Sequence, residues 1–352
     1  MQSVYVRGTG LLLLSALIIY IAGYSNLVAT EYHSATSNIP ERVIPLPTLD
    51  KKDYDARLLA LAHVPVASLA STTATSTKKT LWPVKAVYPN AGALLPFNRI
   101  VAYYGNFYSR GMGVLGEYPE DQVLDMLAST SKKWEAIDST TPTLPAIQYI
   151  AVVAQGGPAT DGKYILRMPD DQIDHALSMA EKMHGILILD VQVGFSTVQN
   201  EIPRLEKYLK MPNVHLAIDP EFSMKGALPP GKEIGTFDAA DINYVATYLA
   251  KLVQENHLPP KILVVHRFTE HMVTNSEKIV PLPEVQIVMD MDGWGTKEKK
   301  IGTYQHVIQS EPVQFTGVKL FYKNDIKPPS TGMLTTAEVM KFMPSPIYIQ
   351  YQ

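Results

Sequence analysis

The chain has 352 residues, with 31 Lys plus Arg against 34 Asp plus Glu, a net charge of −3 and 46% hydrophobic residues. That length and composition suit one large α/β domain with extra segments, and the charge lacks the basic footprint that broad nucleic-acid binding needs. The absence of cysteine excludes disulfides, thiolate metal sites, a thiol nucleophile and lipid attachment through cysteine.

At the N-terminus, residues 8–30 carry no charge and include Leu11-Leu12-Leu13-Leu14; Arg7 precedes them and Glu31 follows. This reads as a signal-anchor or signal peptide, long enough to span a bilayer, with the rest of the chain extracytoplasmic. Residues 31–95 are rich in Ser, Thr and Pro and read as an extracytoplasmic linker, with one short helix expected across Lys51–Leu61.

Beyond Asn98, β-branched and aliphatic runs alternate with amphipathic stretches. Strands are expected at Arg99–Gly105, Ala146–Ala154, Gly185–Val193, Val214–Glu221, Lys261–Phe268, Val285–Asp292, Phe315–Tyr322 and Pro346–Tyr351. Helices are expected at Pro119–Ile137, Pro169–Met183, Asp238–Glu255 and Thr335–Met343, and also after the third and sixth strands. Eight strand-and-helix units over residues 96–352 predict a (β/α)8 TIM-type barrel domain. An open doubly wound sheet is the alternative.

Period-two alternation then sorts each strand into two faces. One face carries Ile186, Ile188, Asp190 and Gln192; another Ala217, Asp219 and Glu221; others Val264 and His266, or Val288, Asp290 and Asp292 with Trp294 beyond, or Gly317, Lys319 and Phe321. Each face turns polar at its C-terminal end, where a barrel of this kind places its chemistry. Acids crowded there repel one another, which pushes one pKa up and leaves another low, and so yields a general acid beside a base or nucleophile. Asp190, Asp219, Glu221 and Asp292 are therefore the catalytic candidates. Glu221 is expected to protonate a leaving oxygen, Asp190 or Asp292 to act as nucleophile or activate water, and Asp219 to orient them. Tyr104, Gln192, His266, Asp290, Trp294 and Lys319 are the candidate substrate-binding residues. Tyr103, Phe107, Tyr108, Tyr322 and Tyr351 are further aromatics expected near the mouth. No cofactor is expected, although the carboxylates leave a hard divalent cation as an alternative. Gly111-Met112-Gly113-Val114-Leu115-Gly116 fits G-x-G-x-x-G literally, but stands too far from its strand for a dinucleotide site and reads as a loop over the mouth.

The segments Ile188-Leu189-Asp190-Val191-Gln192, Ala217-Ile218-Asp219-Pro220-Glu221-Phe222 and Met289-Asp290-Met291-Asp292-Gly293-Trp294-Gly295 resemble those of a poorly characterised family of exported or lipid-anchored bacterial barrel proteins, similar in layout to glycoside hydrolases. The resemblance covers residues 98–352. It implies a barrel outside the cytoplasm that acts on polysaccharide, and the lack of a cysteine to acylate departs from the lipid-anchored members. The expected function is thus a surface-anchored, glycoside-hydrolase-like barrel with a glycan ligand, a membrane contact through its N-terminal segment and no nucleic acid partner. A non-catalytic glycan-binding or cell-envelope-binding protein, and a metal-dependent barrel hydrolase or lyase, are the alternatives.

Overall fold

The computed structural model describes residues 46–65 and 81–352. The anchor expected over residues 8–30 lies outside them. No helix among the described residues is long and apolar enough to cross a membrane.

Eight parallel strands close into a barrel: β1 (Arg99–Gly105), β2 (Thr143–Ala154), β3 (Ile186–Val191), β4 (Val214–Ile218), β5 (Lys261–Arg267), β6 (Val285–Met291), β7 (Phe315–Leu320) and β8 (Tyr348–Tyr351). Each pairs with the next, and β8 pairs back onto β1 through Ile100 opposite Tyr348 and Tyr103 opposite Tyr351. The expected (β/α)8 architecture is therefore present, and the open sheet is excluded by that last pairing. A short strand, Ile165–Arg167, adds antiparallel to the end of β2.

The helices follow from spacing and capping. Between Glu120 and Ile137 the buried positions are Val123, Leu127, Thr130, Ser131 and Trp134, one stripe at helical period. The helix Ala239–Asn256 starts in a capping box formed by Asp238 and Asp241, and it ends at His257 in the left-handed conformation. After the third strand the chain coils in three short pieces from Val198 to Leu209. The expected helix over Thr335–Met343 shrinks to Thr336–Val339, ahead of the turn that carries Pro344.

Two apolar cores result. The larger lies between strands and helices; the smaller fills the barrel with Ile100, Ala102, Ile188, Ala217, Val264, Val288 and Phe315. The smaller core also contains Tyr54 and Leu95. That corrects the expectation of a linker running to residue 95 for its described parts, residues 46–65 and 81–95, which contribute to the barrel core. Lys51–Leu61 is indeed a helix, capped by Asp50, but it buries Tyr54 and Leu59. The Gln286 amide then accepts from the Leu94 and Leu95 backbone and donates to the Leu95 carbonyl. Composition concealed this, since a few well-placed apolar residues suffice to plug the N-terminal end of a barrel.

Candidate active site

The polar ends of the strands meet at the C-terminal mouth, around a cavity of about 510 Å³. Tyr104, Gln192, Asp219, Glu221, Asp292, Trp294 and Lys319 line it, with Phe268, Phe321 and Gln352. Seven of the ten candidate residues therefore face one space. The other three, Asp190, His266 and Asp290, are fully buried and do not line it.

Those three form a sealed network. Register sets it up: His266 lies beside Asp290 on neighbouring strands, and Asp290 beside Gly317. His266 Nε2 meets Asp190 Oδ2 at 2.8 Å, and Gln148 Nε2 donates to the same oxygen at 2.6 Å. Tyr348 donates its hydroxyl to the Gln148 carbonyl oxygen. On its other side, His266 Nδ1 lies 3.3 Å from both Asp290 Oδ2 and Asp292 Oδ2. Burial alone would discharge the imidazole, but Asp190, together with Asp290 and Asp292, holds its pKa well above the ordinary value. That favours the imidazolium form of His266. Burial raises the Asp290 pKa, which the contact with His266 only partly offsets. A Cβ at position 317 would come within 2.7 Å of Asp290 Oδ1, so glycine makes the room this carboxyl occupies. The assignment of Asp190 as nucleophile is corrected by this geometry: its one paired oxygen is held by Gln148 and His266, and neither oxygen reaches the cavity.

Above the network stand the accessible acids. Asp292 bridges the two levels, with Oδ2 facing His266 and Oδ1 3.1 Å from Lys319 Nζ. Lys319 Nζ also sits 3.8 Å over the Tyr104 ring, an electrostatic seat for the ammonium. Asp219 lies at the end of β4. Its Oδ1 accepts from the Glu221 backbone at 3.0 Å and its Oδ2 from Gln192 Nε2 at 3.3 Å. Burial drives the Asp219 pKa well above normal; His266 opposes this, while Glu221 and Asp292 reinforce it.

Glu221 reaches the mouth by a different route from the expected one. The strand stops at Ile218, and Pro220–Phe222 is a 3-10 turn capped by Asp219. Strand parity does not extend to Glu221; the capped turn presents it. Burial, and then Asp292, push its pKa up to about 7, against the opposing pull of Lys319 and His266. Near neutral pH Glu221 therefore holds a proton about half the time, beside an Asp292 whose Oδ1 meets the Lys319 ammonium, and a proton donor poised near working pH is what acid–base chemistry uses.

The aromatic expectations divide. Tyr104 and Trp294 line the cavity. Tyr103, Tyr322 and Tyr351 instead pack against one another, and the Tyr103 hydroxyl meets Thr130 on the outer helix layer. Phe107 stacks between Tyr149 and His175. The glycine motif has a packing explanation. A Cβ at Gly113 would fall 2.4 Å from the Tyr104 carbonyl oxygen, and one at Gly116 would fall 2.3 Å from those of Asn106 and Ser109. The loop thus folds tightly over β1, with Gly111 and Met112 on the cavity wall. Among the described residues, no group of three or more His, Asp or Glu is disposed to hold a metal ion.

Sequence reasoning missed Gln148 and Tyr348, which complete the buried network, and Phe268 on the wall. The alternation along β2 places Gln148 inside, so its polarity in an otherwise apolar strand was the available signal.

No protein-family model matches the chain, and no curated protein matches it. Among solved structures it is similar to a cellulase, Cel5C_n, at 15% identity over 64% of this chain and 65% of that one, with a TM-score of 0.38. The chain thus spans just under two thirds of that protein. It is also similar to the cellulose synthase subunit Z of Clostridioides difficile, at 10% identity over 73% of this chain and 91% of that one, with a TM-score of 0.38. A hyperthermophilic endo-beta-1,4-glucanase in complex with substrate is similar at 9% identity over 72% and 88%, with a TM-score of 0.37. Likeness at this level carries nothing about the chemistry of the mouth.

Proposed function

We propose that the barrel mouth cleaves a glycosidic bond, with Glu221 as proton donor and Asp292 as the second carboxylate. The observation that carries this reading is the pairing of a glutamate pushed up to about 7 with a lysine-held aspartate on the wall of one cavity. Glu221 gives its proton to the leaving oxygen as the bond to the anomeric carbon breaks. Asp292 attacks that carbon or draws a proton from a water, and the distance between the two carboxyls decides which. Asp219 and Gln192 fix the turn that carries Glu221. Trp294, 51% exposed on the rim, offers a face for a sugar ring. Residues 8–30 are proposed to hold the barrel at a membrane, outside the cytoplasm; the support is their uncharged apolar run. A reporter fused after Gln352 that is active only inside the cell would overturn that placement.

A second reading has its own support. Both oxygens of Asp292 face cations, His266 and Lys319, which reduces its power as a nucleophile. That favours a protein that binds glycan without cleaving it. The purified protein, incubated with a panel of plant and bacterial polysaccharides, separates the two. New reducing ends that appear with the native protein and vanish with Glu221→Gln support the hydrolase. Saturable glycan binding without new reducing ends supports the binder. Neither binding nor cleavage overturns both.

A further inference from the structure

The rim of the cavity carries a charge arrangement that the cleavage chemistry does not use. Trp294 has two lysines at its ring: Lys299 Nζ lies 5.4 Å from the centroid and Lys327 Nζ 5.7 Å. Lys299 and Trp294 line the cavity itself. Nearby basic side chains have carboxylate partners. Lys297 pairs with Glu338, Lys300 with Asp325, Lys323 with Glu117, and Lys319 with Asp292. Among the described residues, Lys299 and Lys327 have no such partner, and Arg110, in the loop on the cavity wall beside Gly111, has none either. Two exposed ammonium groups with no carboxylate partner thus gather at one exposed indole on the rim. The arrangement is short of an anion beside an aromatic face.

We propose that Trp294, Lys299 and Lys327 form a subsite for a uronate, so that the glycan taken by this cavity carries carboxylate groups on its sugars. This rests on the glycan reading above and narrows it. The pyranose ring stacks on Trp294 while its carboxylate takes charge-assisted hydrogen bonds from the two ammonium groups. A neutral sugar would gain only the stacking. The acids of the pit repel such a ligand less than free carboxylates would: burial raises the pKa of Asp219 and of Glu221, and Lys319 pairs with Asp292.

The test is binding to the full-length protein, followed by calorimetry and by quenching of the exposed Trp294. The probes are trigalacturonate, triglucuronate, cellotriose and inorganic tripolyphosphate. A triuronate is expected to bind about tenfold or more tighter than cellotriose at low salt, with the margin shrinking as salt screens the lysines. The double variant Lys299→Met with Lys327→Met should bring triuronate down to the cellotriose level. Both side chains are exposed, so its melting temperature should hold, and Lys327→Met alone should weaken triuronate about fivefold. Equal or tighter binding of cellotriose would overturn the uronate subsite and leave the glycan reading standing. Tripolyphosphate binding as tightly as triuronate would overturn it too, by showing recognition of charge without a sugar. An absence of binding by any saccharide, with no hydrolysis, would overturn both this inference and the reading beneath it.

Discussion

Two polar regions sit one above the other in this barrel, built from the same residue types and put to different uses. In the lower one, Asp190, His266 and Asp290 are sealed among Gln148, Tyr348 and Gly317, with His266 between the two acids and the cavity out of reach. In the upper one, Asp219, Glu221 and Asp292 open onto about 510 Å³ of space. Asp292 touches both, since one oxygen faces His266 and the other Lys319. The difference teaches that an acid at a strand end is not a catalyst by type. What decides is whether its proton can reach a ligand, and whether its neighbours hold it charged or neutral.

The comparison breaks most visibly at Glu221. Glu221→Gln keeps the shape and removes the transferable proton, and should lower turnover about 10²–10⁴-fold while leaving the melting temperature equal or higher. A fall in stability with unchanged turnover would move Glu221 into the structural region. The lower region should answer in the opposite sense. His266→Ala leaves buried carboxylates without their cation and should cost about 3–5 kcal/mol in denaturant unfolding. A loss below about 1 kcal/mol, in the range of an exposed pair, would mean that the network is not charged as described.

The pH dependence sharpens the contrast. The folded pKa of Glu221 is raised to about 7, above its unfolded value, and that of His266 is raised as well. Both contributions are fully present below the respective unfolded pKa and are lost as pH rises through the folded one. Between about pH 4.5 and 7, Glu221 should therefore withdraw up to about 3 kcal/mol of stability, and Glu221→Gln should flatten that decline. Identical slopes in native and variant protein would contradict the raised pKa. The smallest expected effect is steric. Gly317→Ala would press a methyl against Asp290 Oδ1 and the Tyr348 ring, each within 2.7 Å, and should cost about 1–3 kcal/mol without touching a cavity residue. A neutral outcome would show that the lower region has slack.

Much of this was legible in the sequence, because period-two alternation and parallel-barrel topology are both local rules. The eight strands, and the gathering of Gln192, Asp219, Asp292 and Lys319, follow from them, while Tyr104 and Trp294 were legible only as aromatics near the mouth. Depth along the strand was not legible. Asp190 and His266 share their faces with mouth residues, yet the neighbouring strands stagger them below the cavity. Glu221 was found for an incomplete reason, since a proline and an Asp219 cap end the strand before it. The floor formed by Tyr54 and Leu95 was hidden inside a segment whose Ser, Thr and Pro content reads as unfolded, because composition averages over the few residues that dock.

The central claim is that Glu221 holds a proton near neutral pH because of burial and of Asp292. A carbon-detected NMR titration of the Glu221 side-chain carboxyl tests it with no need for a substrate. The account predicts a midpoint of about 7 in the native protein and a lower one in Asp292→Asn, where the nearby negative charge is gone. A midpoint in the ordinary glutamate range of about 4.3, unmoved by Asp292→Asn, would contradict it.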